Sequence, residues 1–129
     1  MLCSGIDLIE IKRMGRCSHR EHFMERVFSS EERALFAGKK EPLPTIAANF
    51  AAKEAFAKAL GTGVRGFALR EVSALRDTLG RPYLHLTGRA EALARRMGLR
   101  FSVSMSHTKA YAVCVVIAYT EESSNQEEK

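Results

Sequence analysis

Glu54 and Lys58 lie four residues apart in the stretch Asn49–Gly63, NFAAKEAFAKALGTG, and so project from one side of any helix it forms. Ile46, Ala47, Phe50, Ala51, Ala55, Phe56, Ala59 and Leu60 cover most of that helix's circumference, as in a core helix. Charges there must be paired, bound to a metal or turned toward a cavity. An ordinary helical ion pair, worth about 0.3 kcal/mol, would also account for the spacing. Asp7, at the end of the apolar run Leu2–Ile6, offers a second carboxylate. Two carboxylates suit Mg²⁺, which takes one or two and leaves its other positions to water and substrate phosphates. With Lys58 nearby they suit pyrophosphate chemistry, where metal and ammonium neutralise developing charge. Spacing alone does not establish that Asp7 and Glu54 meet. Asp7 also has a local role open to it, since Asp7-Leu8-Ile9-Glu10 has capping-box spacing and predicts a helix start.

Other segments carry weaker signals. His107 sits in the bend Ser106-His107-Thr108-Lys109, whose hydroxyls and lysine would suit a phosphate, although a lone loop histidine is more often simply solvated. The glycines of Gly61–Gly66, GTGVRG, close a helix, whereas nucleotide-binding glycines open one toward the phosphate. Both nucleotide-loop folds are thereby rejected. Gly61 is a helix C-cap, and Gly63 could let the backbone approach a ligand. Lys12, Arg13, Arg16 and Arg20 are spaced to share one helical face, which is either a solvated surface or a docking surface for something acidic.

The elements that must position these residues follow from the punctuation of the chain. Leu2–Ile6 predicts a strand. Ser29-Ser30-Glu31-Glu32 is a second capping box, opening a helix that ends near Gly38. Pro42 and Pro44 break the chain before the central helix. Val64–Leu75 and Arg81–Leu86 predict strands joined by the turn Asp77–Gly80, and Ala90–Met97 a helix stopped by Gly98. Phe101, Val103 and Met105 alternate with Ser102, Ser104 and Ser106 as in a half-buried strand, and Tyr111–Tyr119 returns as an almost wholly apolar central strand. The pattern predicts one α+β domain over residues 1–120, with an antiparallel sheet and hairpins packed against the long central helix. Residues 121–129 form an acidic tail with the composition of a disordered segment.

Composition narrows the function classes. The 129 residues carry a net charge of +5, and because the tail holds four Glu against one Lys, the body stands at +8. A basic body favours nucleic acid, an acidic protein or a phosphorylated ligand. There is no Trp, few aromatics sit among the bases, and no recognition motif appears, so a nucleic-acid module is disfavoured. Cys3, Cys17 and Cys114 lack CxxC spacing and fit a reduced, cytoplasmic setting, with Cys114 inside the core run. The basic residues follow the first apolar stretch, the wrong order for a secretory leader, and no apolar run is long enough to span a bilayer. Neither nucleic acid nor a membrane is expected as a partner.

Taken in order, GIDLIEIKRM at 5–14, FMERVFSSEE at 23–32, NFAAKEAFAKALGTG at 49–63, GRPYLHLTGRA at 80–90 and SVSMSHTKAYAVCVVI at 102–117 closely resemble the bacterial holo-(acyl-carrier-protein) synthases of the 4′-phosphopantetheinyl transferase superfamily. The resemblance runs to about Ile117, and its first and third blocks are the most specific. It implies that fold, and transfer of 4′-phosphopantetheine from coenzyme A to a serine of apo acyl carrier protein in fatty acid biosynthesis. By the same resemblance Asp7 and Glu54 are the Mg²⁺ ligands, and Lys58 contacts the coenzyme's phosphates. Gly63, Pro82, His107 and Thr108 fall on the coenzyme side of the site, the last two near the adenylate. Glu54, directly or through a water, is the candidate acceptor of the serine proton. Carrier proteins of this kind are acidic around their serine, which gives Lys12, Arg13, Arg16 and Arg20 a partner. The resemblance further implies a homotrimer with sites between subunits. Asn49 departs from the family pattern, standing where many relatives have Arg, and no ligand contact is carried over to it. Polyketide or peptide synthetase carriers are an alternative substrate that the sequence does not separate from the fatty-acid carrier.

Overall fold

The computed structural model describes residues 1–63 and 65–121. Its almost wholly apolar strand β5 (Tyr111–Thr120) is the centre of a three-stranded antiparallel sheet, flanked by β1 (Leu2–Glu10) and β4 (Leu99–His107). Alternation divides β5 between two faces. Ala112, Cys114, Val116 and Ala118 are fully buried, whereas Val113, Val115 and Ile117 are half-buried on the other side. The buried side is covered by helix α4 (Leu43–Leu60), whose many alanines let it lie close to the strands. Contact is tightest at Gly5 of β1, where a Cβ would lie 2.1 Å from the Ala55 carbonyl oxygen. Phe56 of α4 fills the space beyond, with its ring centre 5.0 Å from that of Phe101 and 5.4 Å from that of Phe67.

Three segments differ from the sequence expectation. Asp7 caps no helix: all of β1 pairs with β5, Asp7 opposite Cys114, and α1 (Ile11–Cys17) begins only after Glu10. A ladder that satisfies the backbone along the whole strand outweighs one side-chain cap of about 1 kcal/mol. The basic residues do not all share a helix. Lys12, Arg13 and Arg16 lie on α1, which ends at Cys17, whereas Arg20 precedes α2 (Glu21–Val27). Gly15 lowers the helix propensity of this short segment, and the Ser18 hydroxyl turns back to donate to the Gly15 carbonyl. Finally, of the strand expected over Val64–Leu75, Val64 lies outside the described residues, and of the others only Val72–Leu75 are strand, in β2 (Val72–Arg76), which pairs with β3 (Pro82–Leu86). Phe67 is drawn into the core ahead of it, and Leu69–Glu71 form a single 3₁₀ turn.

The remaining helices are α3 (Ser30–Ala37) and α5 (Gly88–Met97). The capping box of α3 forms as expected: Ser29 Oγ accepts from the Glu32 amide at 3.2 Å, and the Ser29 amide donates to Glu32 Oε1 at 3.1 Å. Of the predicted acidic tail, Glu121 pairs with Arg100 at 3.2 Å, and residues 122–129 lie outside the described residues.

The most deeply buried charge on α4 is Lys53. Its ammonium donates to Glu32 Oε1 and the Val72 carbonyl, both at 2.6 Å, and to the Leu69 carbonyl at 3.1 Å. Burial lowers the pKa of Lys53, and the charge and hydrogen bond of Glu32 oppose that shift. The opposite, outer face of the sheet is left open, with Ile6 and Leu8 of β1 59% and 62% exposed beside Val113 and Val115 of β5.

Candidate active site

β1 and α4 bring Asp7, Glu54 and Lys58 together. Gly5 seats the strand against the helix backbone, and two residues further on Asp7 points to the same side. Lys58 Nζ donates to the Ile6 carbonyl at 2.9 Å and to Asp7 Oδ1 at 3.0 Å. The other oxygen, Asp7 Oδ2, is buried and has no hydrogen-bond partner among the described residues. Glu54, half-buried, stands one turn before Lys58 on the helix. Burial raises its pKa, the charge of Asp7 raises it further, and Lys58 pulls the other way. Among the described residues Lys58 pairs with Asp7 and forms no ion pair with Glu54, so the routine helical pair is not what occupies these positions.

This donor set fits a hard divalent cation. No group of three or more His, Cys, Asp and Glu side chains that could hold a metal exists among the described residues, so an ion here would have two protein carboxylates. That number suits Mg²⁺, which keeps its remaining positions for water and phosphate oxygens. An unpartnered buried carboxylate oxygen is costly on its own account, and a cation would satisfy it. The neighbouring Cys114 thiol is no nucleophile: burial pushes its pKa up to about 12.

Pro82 and His107 belong to a different place. They line a cleft of about 260 Å³ at the N-terminal end of α4, together with Thr45, Arg76, Gly80 and Ser106. None of Asp7, Glu54 and Lys58 lines it. Ala48 of this cleft and Lys58 are ten residues apart on α4, about 15 Å along its axis. Thr108 closes the adjoining turn, its hydroxyl oxygen accepting from the amides of Ala110 and Tyr111 at 3.2 and 3.1 Å. Gly63 lies in the loop after α4 with φ of +63°, and among the described residues none beyond its chain neighbours comes within 4 Å of where its Cβ would be. Lys12, Arg13, Arg16 and Arg20 are all exposed.

Known proteins resolve the family. The family description "4′-phosphopantetheinyl transferase superfamily" matches residues 4–116. The chain belongs to that superfamily. It is 46% identical to the holo-(acyl-carrier-protein) synthase of Alkaliphilus oremlandii over 116 residues, covering 88% of this chain and 95% of that one. The holo-(acyl-carrier-protein) synthase of Neisseria meningitidis superimposes with a TM-score of 0.85 at 33% identity, over 92% of this chain and 98% of that one. The enzyme of Bacillus anthracis, solved in complex with coenzyme A (3′,5′-ADP), gives 0.78 at 30% identity over 92% and 96%.

The transferase therefore has the fold expected of it, and its two candidate regions lie apart on one chain. The sequence reading missed Lys53, Glu32 and Arg76. A signal for Lys53 existed, because position 53 falls on the helical stripe of the apolar residues Ile46, Phe56 and Leu60. Arg76 carried none, lying at the end of a strand with nothing in its spacing to mark it. The three cysteines are free, and no helix among the described residues is long and apolar enough to cross a membrane.

Proposed function

We propose that this transferase moves the 4′-phosphopantetheine arm of coenzyme A onto a serine hydroxyl of an apo acyl carrier protein, releasing adenosine 3′,5′-bisphosphate, in cytoplasmic fatty acid biosynthesis. The observation that carries this reading is the unpartnered Asp7 Oδ2, buried beside Lys58 and coupled in charge to Glu54. The serine oxygen forms a bond to the phosphorus bearing the pantetheine arm, and the bridging oxygen departs with the nucleotide. Asp7 and Glu54 are the residues that would hold Mg²⁺, which supplies charge neutralisation for the pyrophosphate. Lys58 places its ammonium where negative charge develops on the phosphoryl oxygens. Glu54, directly or through a water, accepts the serine proton.

A homotrimer with sites between subunits fits this reading. The cleft of His107 and Pro82 and the Asp7 cluster share no pocket on one chain, and a subunit boundary that sets one copy's cleft beside another's cluster would give the coenzyme both. The open outer face of the sheet, with Ile6, Leu8, Val113 and Val115, is apolar enough to be an assembly surface. The exposed bases of α1 and Arg20 would meet the acidic carrier and set encounter and orientation.

Intact-mass spectrometry of apo acyl carrier protein incubated with the enzyme, coenzyme A and Mg²⁺ tests the reaction. A gain of one phosphopantetheine arm is expected, lost on addition of EDTA, with light scattering reporting three chains. No gain on fatty-acid, polyketide or peptide synthetase carriers would overturn the reading. Arg13→Glu should raise the concentration of carrier needed for half-maximal rate about tenfold and leave the coenzyme A requirement unchanged. Equal changes in both would remove α1 from carrier docking.

A further inference from the structure

A hydrogen-bonded chain of side chains runs from the core to the cleft of His107 and ends in Arg76, a cation that makes no direct ion pair among the described residues. Lys53 is neutralised by Glu32 at 2.6 Å. The other oxygen, Glu32 Oε2, accepts from Asn49 Nδ2 at 3.0 Å, and the same amide nitrogen donates to the Ala74 carbonyl at 2.9 Å. These contacts fix which way the Asn49 amide faces. Its oxygen is left to accept from an Arg76 terminal nitrogen at 2.8 Å. The second terminal nitrogen of Arg76 donates to the carbonyls of Ala74 and Leu75 at 3.1 and 3.3 Å.

The guanidinium is thus clamped on one side by three neutral acceptors. It pairs with no carboxylate among the described residues, since Asn49 stands between it and Glu32. The half-buried guanidinium lines the cleft with N–H groups that these three acceptors do not use, and the charge of Glu32 acts on it without an ion pair. Thr45, Ser106 and His107 add further hydrogen-bonding groups there, and among the described residues no Asp or Glu lines it. Burial lowers the pKa of Arg76, which remains charged at any physiological pH.

We propose that Arg76, held in place by Asn49, binds the 3′-phosphate of the coenzyme, and that this contact is what lets the enzyme choose coenzyme A over its 3′-dephospho form. The inference rests on the transfer reaction proposed above. Of the anionic groups on that substrate, the pyrophosphate belongs to the cluster of Asp7, Glu54 and Lys58, and the monoester on the ribose is the one left to find a cation. A monoester presents several oxygens at once, which suits the planar fork of an arginine better than a lone ammonium. Asn49 acts here as a positioning residue: it touches no substrate and sets the orientation of the group that does.

The test crosses protein with substrate. Initial rates of carrier modification are measured for wild type, Arg76→Gln and Arg76→Lys with coenzyme A and with 3′-dephospho-coenzyme A. Wild type should use the dephospho form less well by about tenfold to a hundredfold in kcat/KM, the range of a charge-assisted contact. Arg76→Gln should lose the same factor with coenzyme A, mainly through KM, and nearly nothing with the dephospho form. Arg76→Lys should recover part of the loss. Calorimetric titration of wild type with adenosine 3′,5′-bisphosphate and with 5′-AMP checks the same preference without turnover and without relying on a variant that folds. A wild type indifferent to the 3′-phosphate, or an Arg76→Gln enzyme impaired equally on both substrates, overturns the assignment while leaving the transfer reaction intact. Absence of transfer from either substrate, with neither nucleotide bound, would instead fail the reading beneath it.

Discussion

Exchange of Glu54 for Gln should cut phosphopantetheine transfer about a thousandfold and, in the metal-free protein at neutral pH, raise the melting temperature. The two effects have one origin. Glu54 is half-buried and shares its surroundings with the carboxylate of Asp7, and burial and that neighbouring charge lift its pKa against the opposing pull of Lys58. A carboxyl whose pKa is higher folded than unfolded makes its stabilising contribution while protonated and loses it as pH rises through the raised value. Gln keeps the shape and stays neutral, so it escapes that loss. The advantage of Glu54→Gln should be present at neutral pH and vanish in acid, below the ordinary carboxylate range, where Glu54 carries its proton in both states. Catalysis requires the opposite condition, a charged and basic Glu54. Calorimetry in EDTA at the two pH values, beside the intact-mass assay, separates the cases. Near-normal turnover would remove Glu54 from proton transfer. A variant that melts lower at neutral pH would mean that attraction to Lys58 outweighs burial and repulsion from Asp7.

Gly5→Ala should be the most damaging single-atom addition to the fold. Its Cβ would lie 2.1 Å from the Ala55 carbonyl oxygen, 2.6 Å from the Ala59 amide nitrogen and 2.9 Å from Lys58 Cβ. The first two are backbone atoms of α4 and have no rotamer to escape into. Strand and helix would have to separate along the seam that carries the core. Overpacking of this kind costs about 3 kcal/mol, and more where backbone must move. A drop of about 10 °C or more in melting temperature is expected, or failure to accumulate folded protein. Any folded fraction should also transfer poorly, since Lys58 and Asp7 lie on either side of the displaced contact. A melting temperature within a few degrees of wild type, with transfer intact, would mean that α4 can slide along β1 at little cost.

The local rules that held were those whose contacts lie close in the sequence. The capping box at Ser29 closes within three residues. Gly61 ends α4 in the left-handed conformation, at φ of +77°, and the serine alternation of β4 tracks the two faces of one strand. For each of these, local contact energies decide and the chain carries them openly. The ordered blocks from GIDLIEIKRM to SVSMSHTKAYAVCVVI, which ends at Ile117, were equally legible, and they named the family to which the chain belongs.

Where a distant partner competes with a local one, the same rules misled. Asp7 has a valid cap spacing, yet nine residues of β1 find their partners on β5, more than a hundred positions away. The charge balance of the core was hidden for the same reason. Position 53 lies on the buried stripe of α4, but nothing along the chain pairs Lys53 with Glu32 of α3 and the carbonyls of Leu69 and Val72, which close around it. Residue types and spacing along α4 were enough to single out Glu54 and Lys58. That Lys58 bonds to Asp7, that Asp7 keeps one oxygen free, and that Arg76 is turned by Asn49 toward the cleft of His107 were decided by the packing of separate elements, because hydrogen bonds between residues far apart in sequence exist only once the tertiary structure has brought them within 3 Å or so of each other.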